Sequence, residues 1–147
     1  MRWMKKLTSI SLCAALITGS AVFASADAKD TYVSMGADLT VEQRAKVLEL
    51  MDLTEDDLAD MDVVQITNEK EHEMLGGYLP NSVIGSRALS CVRVDKKKSD
   101  GIQVTTKNIT YCTEGMYQNA LITAGIENAD VSVAGPTNIS GTAGLVG

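Results

Sequence analysis

The chain has 147 residues; the first 26 read as an export leader and leave 121 for the mature protein, enough for one modest core and too few for two. Hydrophobic residues at 45 % and charged residues at 22 % exclude wholesale disorder and coiled coil, and aromatics at 4 % exclude rows of stacking platforms for single-stranded nucleic acid. Removing Arg2, Lys5 and Lys6 with the leader moves the formal charge from −6 to −9, which repels a nucleic-acid backbone.

The leader has three parts. Arg2, Lys5 and Lys6 make it positive, residues 7–23 carry no charge, and Ala24-Ser25-Ala26 puts small side chains at both positions a signal peptidase reads. Cleavage is expected between Ala26 and Asp27, with Sec-type export to the cell envelope or medium. The uncharged run is 17 residues and is diluted by Thr8, Ser9, Ser11, Thr18, Gly19 and Ser20. A retained span wants about 20 mostly apolar residues, so the membrane is met only before cleavage. Cys13 follows the bulky Leu12, which argues against a lipid anchor.

Residues 27–39 have no strong periodicity and read as a flexible lead-in or an edge strand, ahead of one domain over 40–147. Thr40 with Gln43 is a capping box, and Val41, Ala45, Leu48 and Met51 follow at helical spacing. Thr54 with Asp57 repeats the cap and opens a short second helix. Residues 63–67 form a β-branched run and predict a strand. Asn68 with Glu71 caps a third helix that stops at Gly76-Gly77. Tyr78-Leu79-Pro80-Asn81 makes a turn. Residues 87–94 and 102–111 predict a β-hairpin across the polar loop 95–101. Thr113 opens a helix that ends at Gly125, and residues 131–134 alternate as a strand, which gives a βαβ unit. The fold class expected is α+β: a small mixed sheet with a hairpin and a βαβ unit, covered by several short helices. Ser140 reads as the cap of a helix whose first turn holds Ala143, Leu145 and Val146, so the domain is expected to be incomplete at its C-terminus.

Cys91 and Cys112 are the two mature cysteines of an exported chain, which invites a disulfide. In the expected hairpin Cys91 faces Thr105, and Cys112 lies seven residues further, about 23 Å at strand rise. A bridge needs Cα atoms within about 7 Å. The pair bonds only if the strands are not partners or the chain after Tyr111 folds back; otherwise both are small buried thiols.

Residues 38–73 hold 12 acids against 3 bases. Asp56, Asp57, Asp60 and Asp62 are the dense part and are the candidate cation site, although the central glycine and alternate oxygen ligands of a calcium loop are missing. Most fall in first helical turns, where the dipole favours them. His72, the sole histidine, stands between Glu71 and Glu73, with Glu69 a turn away. Ser82, Ser86 and Ser90 lack the Gly-x-Ser-x-Gly elbow of serine hydrolases. The glycines of the tail miss the phosphate-loop spacing and have no lysine. Lys96-Lys97-Lys98 reads as a solvated loop tip. No catalytic residue, cofactor or resident metal is expected.

Four stretches together resemble a known family. They are Gly36-Ala37-Asp38-Leu39-Thr40 with Gln43-Arg44; Tyr78-Leu79-Pro80-Asn81-Ser82-Val83-Ile84-Gly85-Ser86-Arg87-Ala88-Leu89-Ser90; Asn108-Ile109-Thr110-Tyr111-Cys112-Thr113 with Asn119-Ala120-Leu121; and Val133-Ala134-Gly135-Pro136 running into Ile139-Ser140-Gly141-Thr142-Ala143. They resemble the YpuA-like family, exported proteins of Gram-positive bacteria grouped as a domain of unknown function. The resemblance implies a longer chain with a further helical portion, and no assigned activity or catalytic residue. It implies a small residue such as serine at position 91, which counts against a structural bridge from Cys91.

The function expected is a non-enzymatic exported module that binds an envelope component or a protein partner. The alternatives are an exported hydrolase whose site a missing C-terminal part completes, and a calcium-responsive surface protein.

Overall fold

The computed structural model describes residues 30–147; the leader and its cleavage residues Ala24, Ala26 and Asp27 lie outside them. One mixed sheet holds five strands in the order β2-β1-β3-β5-β4. These are β1 (Thr31–Gly36), β2 (Asp62–Ile66), β3 (Cys91–Lys96), β4 (Ile102–Ile109) and β5 (Ala129–Ile139). Six helices accompany them among the described residues: α1 (Val41–Leu50), α2 (Glu55–Leu58), α3 (Asn68–Leu75), α4 (Asn81–Ile84), α5 (Glu114–Thr123) and α6 (Thr142–Val146). The class is α+β, and the β4–α5–β5 unit is parallel as its spacing predicts.

Two strand expectations need correction. Residues 31–36 are neither a flexible lead-in nor an edge: β1 lies between β2 and β3, parallel to the first and antiparallel to the second. The short run Val33-Ser34-Met35-Gly36 is buried on both faces, so it shows no alternation for a periodicity reading to find. The hairpin is also absent. β5 inserts between β3 and β4, pairing antiparallel with one and parallel with the other. The connection straddles the start of β5 instead of turning tightly: Lys97 N donates to Asn128 O at 3.0 Å, and Ala129 N donates to Gly101 O at 3.0 Å. Sequence adjacency suggested pairing, and the returning strand of the βαβ unit took the place between them.

The alternation of the strands builds two apolar layers. Val33, Met35, Cys91 and Ala134 face one side and pack against Val47, Leu48 and Met51 of α1 and its C-cap. Val92, Val94, Val104, Val131 and Val133 face the other side, under Tyr117 and Leu121 of α5. Each of these valines contributes roughly 1.5 kcal/mol or more when fully buried. Val41 does not belong to the buried face of α1; it is 81 % exposed. The helix instead buries the pair Val47 and Leu48 together with Met51.

Helix ends follow the expected caps with one shift. Thr40 and Gln43 close a capping box, Thr40 N donating to Gln43 Oε1 at 3.0 Å and Gln43 N to Thr40 Oγ1 at 3.2 Å. Thr54 and Asp57 repeat it. In α3 the cap is Thr67, whose Oγ1 accepts from Lys70 N at 3.2 Å, one residue earlier than expected; this frees the Asn68 side chain for other work. α1 has no basic residue in its last turn, and the sheet supplies the cations. Lys107 Nζ donates to Leu50 O at 2.7 Å, and Arg93 Nη1 donates to Met51 O at 2.8 Å and Asp52 O at 3.1 Å. Both charges sit at the negative end of the helix dipole.

Candidate functional site

The end of β4 is irregular. Asn108 has φ 61°, and the register jumps from Lys107 opposite Ala134 to Ile109 opposite Ile139. Asn108 Nδ2 donates to Gly135 O at 3.0 Å and holds the swelling in β5. Beyond it, Gly141 (φ 95°) turns the chain into α6; Tyr117 Oη donates to its carbonyl at 2.8 Å, and burial pushes the Tyr117 phenol up. A second turn, Gly85 (φ 78°), ends α4.

These two turns and α3 enclose a cleft of about 470 Å³. Its lining includes Ser82 within α4, Ser86 and Arg87 after it, Thr110 and Tyr111 just past β4, Asn138 in β5 and Ser140 just past it, and Glu71 and Thr142 at its base. Tyr111 is 44 % exposed. Glu71 is 1 % exposed, and its oxygens are both engaged. Oε1 accepts from Thr142 Oγ1 at 2.6 Å, and Oε2 accepts from Asn68 Nδ2 at 3.0 Å. Burial holds the Glu71 carboxyl above the usual carboxylate range, against the pull of those two hydrogen bonds.

The residues singled out by chemistry have other tasks. His72 Nε2 lies 2.9 Å from the Gly85 carbonyl, which also accepts from Asn68 Nδ2 at 3.1 Å, so the imidazole braces a turn. Ser90 Oγ accepts from Gly144 N at 2.7 Å and anchors α6. Cys91 and Cys112 are free and buried. They do not bridge because they belong to different layers, Cys91 with Met35 and Val47, Cys112 with Tyr117. Burial pushes the Cys91 thiol up to about 11 and raises Cys112 as well. The candidate cation cluster does not assemble: among the described residues no group of three or more His, Cys, Asp or Glu is placed to hold a metal ion. Asp57 closes the cap of Thr54, Asp56 lies beside it in the first turn of α2, and Asp60 and Asp62 leave in the next turn and strand.

A family described as a protein of unknown function, DUF1002, matches residues 35–147. The chain is also 41 % identical over 148 residues to "Uncharacterized protein YpuA" of Bacillus subtilis (strain 168), covering 98 % of this chain and 50 % of that one. The chain belongs to the DUF1002 family. It spans about half the length of the curated relative it matches. No solved structure matches it.

Three of the four stretches that carry the DUF1002 resemblance meet at the cleft: Ser82 to Ser90 along one wall, Thr110 and Tyr111 opposite, and Ile139 to Ala143 at the base. The fourth braces it, since Asp38 Oδ2 accepts from Ala88 N at 2.8 Å. The sequence reading sets Ser82, Ser86 and Ser90 aside as lacking a hydrolase elbow and does not single out Tyr111, Asn138 or Thr142; all six line the cleft. The sequence reading makes Glu71 the cap partner of Asn68. The available signal was its i, i+4 relation to Leu75, which puts both on the inward face of α3.

Proposed function

We propose that this DUF1002 chain is an exported, non-enzymatic binding module of the cell envelope, and that its cleft takes an uncharged, hydroxyl-rich segment of a wall glycan. The support for export is the three-part leader ending at Ala26. The support for the ligand is the cleft lining. Ser82, Ser86 and Thr110 offer hydroxyls, Asn138 an amide, and Tyr111 a half-exposed ring on which a sugar face can rest. Arg87 adds fixed donors at the rim. The buried carboxyl of Glu71 at the cleft base is already engaged by Thr142 and Asn68.

Co-sedimentation of the mature chain with purified peptidoglycan tests this reading. The wild type is expected in the pellet, and Tyr111→Ala and Asn138→Ala are each expected to weaken retention about tenfold. Retention that is absent, or indifferent to both substitutions, overturns the glycan reading. N-terminal sequencing of the cell-derived protein tests export: a start at Asp27 supports it, and an intact leader on protein from the soluble interior overturns it.

One contact favours a second reading, an exported hydrolase. A hydroxyl donating to a carboxylate at a cleft base, Thr142 to Glu71, is the arrangement of a nucleophile with its base. Turnover of the same wall material that Thr142→Val abolishes supports it, and no turnover by the full-length relative removes it.

A further inference from the structure

The two edges of the sheet differ. β2 is one of them and pairs with β1 alone, in parallel register from Asp62 opposite Tyr32 to Ile66 opposite Gly36. The peptide groups of successive strand residues point to alternate sides. Ala37 N donates to Ile66 O at 2.9 Å, so Ile66, Val64 and Asp62 turn their main chain to β1. Val63 and Gln65 turn theirs outward, and no hydrogen bond among the described residues engages those N–H and C=O groups. Val63 and Val64 point to opposite faces of the sheet, and each is 38 % exposed. The strand has no lysine, no proline and no bulge, the usual guards of an open edge. The other edge, β4, is guarded. Gln118 Nε2 of α5 donates to Ile102 O at 3.1 Å, and the irregularity at Asn108 breaks the far end.

Charge says what the β2 edge takes. The strand lies within residues 38–73, which hold 12 acids against 3 bases. Two of those bases are already paired, Arg44 with Glu55 and Lys70 with Glu73. Asp60 just before β2 and Glu69 just after it are exposed, and neither has a cation partner among the described residues. We propose that β2 is the docking edge for a basic, extended peptide segment of a partner protein. The segment adds as a sixth strand through the main chain of Val63 and Gln65, with lysine or arginine near Asp60 and Glu69. The ladder supplies binding and direction, the two half-exposed valines pack against alternate side chains of the guest, and the acids steer its approach. A second copy of this chain suits the edge poorly. It would set two acidic blocks against each other, and like charges across an interface cost affinity. A strand of five residues also supplies little of the about 1,200–2,000 Å² that a stable pairing of folded proteins buries. Neither Val63 nor Gln65 lines the cleft of Glu71 and Tyr111, so the proposal stands apart from the glycan reading.

The test titrates the isotope-labelled mature chain with the end-blocked peptide Lys-Lys-Val-Thr-Val-Lys-Lys at low salt and follows backbone amide resonances. The amides of Val63 and Gln65 are expected to move most and to exchange more slowly in the complex. Gln65→Pro removes one outward donor without touching the ladder to β1, and is expected to weaken binding about tenfold. Asp60→Asn with Glu69→Gln leaves the strand itself unchanged and covers the case in which the proline variant fails to fold; about fivefold weaker binding is expected. The same peptide with every backbone amide methylated keeps its charge and loses its donors, and is expected not to bind. Equal binding of the methylated peptide shows charge attraction without strand addition and overturns the proposal. So does equal binding of Glu-Glu-Val-Thr-Val-Glu-Glu, or no binding of the lysine peptide. A concentration-dependent dimer of this chain that Gln65→Pro dissolves gives the edge to a second copy and overturns it too.

Discussion

Thr142 Oγ1 donates to Glu71 Oε1 at 2.6 Å across 71 residues of sequence, and both side chains are almost fully buried. The contact ties α3 to α6 beneath the cleft. Removing the donor leaves a buried carboxyl oxygen short of a partner, which costs about 1–3 kcal/mol. Thr142→Val is therefore expected to lower the unfolding free energy by that amount, read from urea denaturation. Burial raises the folded-state pKa of Glu71 above its unfolded value. A raised carboxyl contributes stability that is full below the unfolded pKa, near 4.5, and is lost as pH rises through the folded value. Glu71→Gln cannot titrate. Its stability relative to the wild type should therefore be constant at the acidic end and improve steadily as pH climbs above about 4.5. A flat difference from pH 4 to 8 counts against the burial of an ionisable Glu71.

The C-terminus of α1 depends on residues that sequence places 40 or more positions away, Arg93 at |i−j| 42 from Met51 and Lys107 at |i−j| 57 from Leu50. A helix with no base of its own at the last turn has its carbonyls and dipole satisfied from β3 and β4. Lys107→Met keeps the aliphatic stem and removes the charge and the donor. It is expected to destabilise by about 0.5–2 kcal/mol, with β4 and α1 losing hydrogen-exchange protection together. Loss confined to β4 would mean that the ammonium does not hold the helix.

What was legible in the sequence is what local chemistry dictates. Thr40, Thr54 and Thr113 each cap a helix where their hydroxyl meets the third residue on, and all three do so in the structure. The parallel crossover was legible from the helix between residues 109 and 131. What was not legible is long-range order. Nothing local says that β5 displaces β4 from beside β3, or that β1 lies inside the sheet. The cleft was invisible for the same reason: Glu71, Asn138 and Thr142 come from α3, β5 and α6, Tyr111 from the bend after β4, and they meet only when the sheet order is known. Thr67 displaced Asn68 as the cap because the Asn68 amide is used by Glu71 and Gly85, a tertiary demand that a capping preference cannot foresee.

Cys91 and Cys112 are buried thiols with raised pKa, Cys91 to about 11. The nucleophilic form is the thiolate, so at pH 8 both are doubly protected, by access and by protonation. A thiol-reactive dye is expected to label neither in the native mature protein within minutes and both in concentrated urea without reductant. Fewer than two thiols in urea would show that Cys91 and Cys112 are bridged.

Gly36 and Gly77 separate two opposing effects of adding one methyl group. Replacing glycine by alanine narrows the unfolded ensemble and stabilises by about 0.4–1 kcal/mol where the native site has room. Gly77 has nothing within 4 Å of a built Cβ, so Gly77→Ala is expected to stabilise by that amount. At Gly36 the methyl would press into the Ala88 carbonyl, with Leu89 N 2.8 Å away, and both obstacles are backbone. They cannot rotate aside, because Asp38 N donates to Ala88 O at 3.0 Å and Ala88 N donates to Asp38 Oδ2 at 2.8 Å. Ala37 N, donating to Ile66 O at 2.9 Å, fixes the other side. Overpacking of this kind costs about 1–3 kcal/mol, which outweighs the entropic gain. Gly36→Ala is thus expected to lower the urea midpoint while Gly77→Ala raises it. Midpoints that move in the same direction would mean that β1 and the segment around Ala88 are not held in this close register.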